Sequence, residues 1–151
     1  MTKFLLAVHV LAAIVAIGPV TVAASMFPPA ARRVLDDPGD DRASATLHTL
    51  HRICRVYAGV GIVVPVFGFA TASSLGVLGD AWLIVSIVLT ALAAGVLAAL
   101  ILPGQNALTA GDASAGPEAT RRLGMYTGLF NLLWATVTVL MIVRPGSTTG
   151  V

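Results

Sequence analysis

The sequence predicts an all-α fold: a bundle of four transmembrane helices with both termini on the extracytoplasmic side. Composition is the first observation. The 151 residues are 57% hydrophobic and 11% charged, with a mean hydropathy of +0.92. A soluble domain carries about 25% charged residues. A core of this length cannot hide so much apolar surface, so lipid takes the place of water. The second observation is that four stretches reach about 20 apolar residues, the length a span needs. The third is that the basic residues are shared unequally between the two ends of those stretches.

The spans are read as 4–27, 56–75, 81–102 and 123–143. Pro28 and Pro29 are expected to stop the first, and Pro103 with Gly104 the third, because proline lacks an N–H and clashes with the preceding turn. Asp80 is placed to cap the third span, and Pro117 to open the lead into the fourth. Pro145 and Gly146 end the last. The connection 73–80 is short, so the second and third spans are expected to form an antiparallel hairpin. The second helix is expected to begin near residue 41, ahead of the membrane, with Asp40, Asp41 or Ser44 as its cap. The segment 104–116 reads as a polar, mobile loop. No internal repeat or separate soluble domain is visible, so 1–151 is one membrane unit.

Orientation follows from Arg and Lys. Arg32, Arg33, Arg42, Arg52, Arg55, Arg121 and Arg122 flank the first and third connections, whereas only Lys3 and Arg144 lie on the other side. Both long connections are therefore expected in the cytosol of a bacterial inner membrane, with the basic balance marking orientation and not nucleic-acid binding. The alternative for the first span is a signal peptide cleaved near Val22, Ala23, Ala24 and Ser25. Its length, and the basic segment that cleavage would leave outside, favour an uncleaved helix.

Within the spans, Gly124 and Gly128 on the fourth helix, and Ala91, Gly95 and Ala99 on the third, have the four-residue spacing that lets membrane helices approach closely. They read as packing contacts within the bundle or as a docking face for another subunit. Pro19 and Pro65 are expected to bend their helices and free the carbonyls of Val15 and Gly61. Asn131 is placed to answer the kink at Val15 to Pro19. Trp134, near mid-membrane, reads as a packed aromatic.

His9 is the one ionisable side chain well inside a span, beside Ala12, Ala13 and Ala16. Such a histidine reads as a proton carrier, a haem or copper ligand, or a neutral group bonded to Thr138 or Ser86. His48, His51, Arg52 and Arg55 form a stripe on the second helix, with Cys54 at its edge. A metal there is disfavoured: His48 and Cys54 stand about 9 Å apart along the axis, and the arginines repel a cation. A basic stripe at the membrane face suits anionic lipid headgroups or an acidic partner. His9 and the His48/His51 pair are expected on opposite membrane faces, which disfavours a bis-histidine haem within one chain. The single Cys54 excludes a disulfide framework or a cysteine-built metal site within one chain. The sequence also lacks G-x-S-x-G, H-E-x-x-H and Walker-type patterns, and no span holds a carboxylate for an ion relay.

The run Lys3-Phe4-Leu5-Leu6-Ala7-Val8-His9-Val10-Leu11-Ala12-Ala13-Ile14, followed by Gly18-Pro19, resembles the opening of a bacterial family of four-helix integral membrane proteins of unknown function. The resemblance covers the first helix and, loosely, the four-span layout, and brings no activity. A fainter similarity reaches copper-resistance D proteins and the haem-binding membrane protoporphyrinogen oxidase. From these only His9 carries over, and with it haem b as the one cofactor to consider. The leading expectation is a non-enzymatic accessory or regulatory subunit of a larger membrane transport complex. The alternatives are a haem- or copper-binding redox protein using His9, and a lipid- or solute-binding bundle.

Overall fold

The computed structural model describes residues 1–112 and 114–146. The described residues form six α-helices: α1 (Thr2–Asp36), α2 (Asp41–Val60), α3 (Val63–Leu75), α4 (Ala81–Val96), α5 (Leu102–Thr109) and α6 (Pro117–Val143). A π-helical turn, Leu97–Ile101, joins α4 to α5. No strand occurs among the described residues. Joined end to end these make four helices long and apolar enough to cross a membrane: Thr2–Asp36, Asp41–Leu75, Ala81–Thr109 and Pro117–Val143.

Two of the expected ends are wrong. α1 runs through Pro28 and Pro29 to Asp36. An interior proline costs a helix about 3 kcal/mol. Here the continuation keeps Phe27, Pro28 and Ala31 buried against the neighbouring helices, and that packing overrides the local penalty. The third span likewise passes Pro103. The turn before it widens, Leu102 N–H bonding to Leu97 O, and a wide turn is a common way to absorb a break in the α-helical ladder. Part of the expected loop 104–116 is consequently helix, extending to Thr109.

Other ends follow the expected chemistry, except that Asp80 makes no side-chain cap. Asp40 Oδ1 accepts from the backbone N–H groups of Arg42 (2.9 Å) and Ala43 (3.0 Å), capping α2. Pro117 opens α6. Asp80 stands at the N-cap position of α4 but makes no cap bond; its Oδ2 accepts instead from Trp82 Nε1 at 3.0 Å. At the Pro65 bend the helix breaks between α2 and α3, and Gly61 O accepts from Val64 N–H at 3.1 Å. The carbonyl expected to be orphaned is satisfied one residue earlier than an α-helix would satisfy it.

The packing order differs from the order in sequence. α1 is central, against α2, α3 and α6, and α4 packs on α6. α3 and α4 are joined by a short turn yet meet little beyond it, where Ala72 packs with Trp82 and Leu83. The expected hairpin is thus a connection and not a packed pair, and the seam between α3 and α4 is open.

The main core is concentrated toward the arginine-rich end. Val20, Ala23, Ala24, Phe27 and Ala31 of α1 meet Leu47, Leu50 and Cys54 of α2, with Ile101, Leu108, Leu123 and Phe130. Ala23 and Ala24 let α1 sit close to its neighbours. The ends of α1, α2 and α5 that run past the apolar spans carry Ala31, Leu47, Leu50, Cys54 and Leu108 into this core, and where water reaches those ends burying apolar surface is favourable. The opposite half has only the small Ala72, Trp82, Leu83 cluster. Lipid is as apolar as these side chains, so nothing there drives closure except close packing.

Candidate functional site

At the arginine-rich end, α2 changes from polar to apolar between Arg55 and Val56. The helix presents His48, His51, Arg52, Arg55 and Val56 around one open cavity of about 570 Å³. Helical spacing brings the four basic side chains together, as the sequence suggests. His48, Arg52 and Arg55 are exposed, whereas His51 is 8% exposed.

What holds His51 lies outside the predicted stripe. Its Nδ1 stands 3.1 Å from Oε1 of Gln105 on α5, and Gln105 Nε2 donates to Cys54 Sγ at 3.4 Å. Gln105 is fully buried. With the amide oxygen accepting, Nδ1 of His51 carries the proton and Nε2 is left with a lone pair. That Nε2 is buried without a hydrogen-bond partner. Sequence reasoning missed Gln105 because it assigned 104–116 to a loop. The available signal was the spacing of Ile101, Gln105 and Leu108, one face of a continuing helix.

His9 occupies a second, separate site. Its Nδ1 lies 2.9 Å from the carbonyl oxygen of Val64, and a carbonyl can only accept, so Nδ1 holds the proton and Nε2 the lone pair. The ring lies flush on Gly68: a Cβ there would approach His9 Cε1 to 2.9 Å. The partner is thus α3 and not Thr138 or Ser86, whose hydroxyls bond back to Trp134 O and Trp82 O of their own helices. Gly68 is a residue that the sequence reading did not single out. Val64 follows His51 by thirteen residues, about 20 Å of helix, so the chain keeps His9 apart from the cavity.

The packing candidates divide. Gly124 faces α1, a Cβ there meeting Pro28 at 3.9 Å. Gly128, Ala91, Gly95 and Ala99 are exposed, and a Cβ on Gly95 or Gly128 would meet nothing within 4 Å. Nothing in this chain crowds the position of a side chain at Gly95 or Gly128. Asn131 does not answer the Pro19 kink. Its Nδ2 donates to Ser25 Oγ at 3.3 Å, and Trp134 Nε1 donates to Thr21 Oγ1 at 3.0 Å. This antiparallel register places Asn131 about 9 Å along α1 from Pro19, because α1 and α6 both run farther at the arginine-rich end than the spans suggested.

At the far end, Arg144 caps α6 in a left-handed conformation (φ 45°) and sits 5.6 Å over the Trp82 ring. No group of three or more His, Cys, Asp or Glu side chains converges among the described residues. Comparison with protein families, with curated proteins and with solved structures found no match.

Proposed function

We propose that the chain is a non-enzymatic accessory or regulatory subunit of a larger membrane transport assembly in a bacterial inner membrane. The observation that carries this reading is the open seam. α3 and α4 leave each other uncovered, and the small residues Ala91 and Gly95 lie bare on α4, Ala99 on the π-helical turn that follows it, and Gly128 on α6. Small residues at four-residue spacing permit backbone-to-backbone approach, the source of packing energy between membrane helices. Inside this chain that approach goes unused, so a helix of another subunit is the fitting occupant. The excess of Arg beside the first and third connections supports a cytosolic placement of the end that holds the main core, with both termini outside. The test is purification from native membranes in mild detergent with mass spectrometry. The reading expects one larger membrane protein at fixed stoichiometry; a preparation holding this chain alone refutes it.

The geometry of His9 favours a second reading, a haem- or copper-binding membrane protein. Metal-ligating histidines commonly donate their other N–H to a carbonyl, which fixes the tautomer and orients the ring. His9 has that arrangement on Val64 O. It supplies one neutral nitrogen per chain, so a complete ligand set would need a second subunit. Purified protein should then show a Soret band or bound copper that disappears in His9→Ala; a colourless, copper-free preparation counts against it.

A further inference from the structure

The geometry points to the α2 cavity as a binding site for the headgroup of an anionic phospholipid, one that carries a hydroxyl as well as a charged phosphate. The charge argument comes first. Arg52 and Arg55 line the cavity with His48 and His51, and no carboxylate is among the lining residues. Neither arginine is in an ion pair; among the described residues the one ion pair joins Arg122 to Glu118 at 2.7 Å. Two planar guanidiniums three residues apart on one helix face match phosphate oxygens, which accept in pairs from such forks.

The depth argument selects a lipid over a soluble phosphate. The cavity spans His48 to Val56, the stretch in which α2 passes from polar to apolar. Immediately beyond it the same helix exposes Gly59 and Val60. A phospholipid has this polarity gradient, phosphate above and acyl chain below, and a dissolved anion has only the upper half.

The hydrogen-bonding argument selects the headgroup. His51 is the one buried member of the lining, and it does not turn freely because Gln105 holds its Nδ1. Its Nε2 has a lone pair and no partner. Nε2 itself lies just beneath the surface, so a headgroup reaches it only as neighbouring side chains shift, and it must then donate, which calls for a hydroxyl. Phosphatidylglycerol, through its glycerol, supplies one; phosphatidylcholine has neither net charge nor donor.

The experiment uses the full chain in nanodiscs of phosphatidylcholine with a minor fraction of phosphatidylglycerol, reading retained lipid by native mass spectrometry. The wild type is expected to retain phosphatidylglycerol far above its bulk fraction. The double variant Arg52→Gln/Arg55→Gln should lose that enrichment by roughly tenfold or more, the worth of one charge-assisted hydrogen bond to phosphate. Both side chains are exposed, and unchanged helical circular dichroism confirms the fold. The control Arg32→Gln/Arg33→Gln removes equal charge away from the cavity and should keep the enrichment. Three results overturn the proposal: no enrichment in the wild type, enrichment that survives in the Arg52/Arg55 variant, or equal loss in the control. A fourth arm adds inorganic phosphate at millimolar concentration. Retention that persists supports the lipid, and displacement of the lipid overturns it in favour of a soluble anion.

Discussion

Replacing Gln105 with leucine should destabilise the fold through an orphaned histidine and not through lost volume. The side chains are close in size, so the repacking penalty is small. The hydrogen bond from His51 Nδ1 at 3.1 Å disappears, a net loss of about 1 kcal/mol. The larger effect is that Nδ1–H stays buried with nothing to accept it, at about 1–3 kcal/mol. The 3.4 Å contact to Cys54 sulfur adds little, since thiol sulfur is a weak acceptor. The sum is about 2–4 kcal/mol. Replacing both partners by apolar groups removes the orphan, so His51→Phe with Gln105→Leu should lie much closer to wild type than Gln105→Leu alone. The assay is reversible unfolding in mixed micelles, followed by the fluorescence of Trp82 and Trp134 and read as a double-mutant cycle. A Gln105→Leu protein as stable as wild type would refute the reasoning. So would a double variant whose loss equals the sum of the single losses.

Three further outcomes follow from other parts of the molecule. Gly68→Ala should push the His9 ring off α3 and break its bond to Val64 O, at about 1–3 kcal/mol; ring ¹⁵N chemical shifts should lose the fixed Nδ1–H tautomer. Asp40→Ala should fray the start of α2 at about 1 kcal/mol, seen as faster hydrogen exchange at Arg42 and Ala43. The backbone N–H and hydroxyl of Ser114 hold the Asp112 carboxyl below its ordinary range. A depressed folded value means the turn is stabilised above the ordinary carboxylate range and loses that support as pH falls through the folded value. Carboxyl ¹³C titration of wild type and Ser114→Ala should show the variant titrating at higher pH.

The four helices were legible because their apolar runs match the span length, a signal that needs no tertiary information. Helix ends were less so. Asp40 and Pro117 act locally and were readable, but Pro28, Pro29 and Pro103 were read as stops because their local penalty is plain while the packing that overrides it is not. The wide turn at Leu97–Ile101 had a further effect: it carries the helix past Pro103 and brings Gln105 under His51, a contact that no regular periodicity foretells. The basic stripe was visible at i, i+3, i+4 and i+7, since one helix face suffices to assemble it. The partners of His9 and Asn131 were misjudged because they depend on the register and order of packed helices, which span lengths alone do not fix. The exposure of Ala91, Gly95 and Ala99 likewise depends on which neighbours the third span packs against, α6 far more than α3.

The most direct test of the account is site-specific photocrosslinking in the native membrane, with the probe placed in turn at Gly95, Ala99 and, as a control, Ile14, which is 63% exposed on α1. The account predicts one discrete protein adduct of constant mass from Gly95 and Ala99, and lipid adducts alone from Ile14. Lipid adducts alone at all three positions would contradict it.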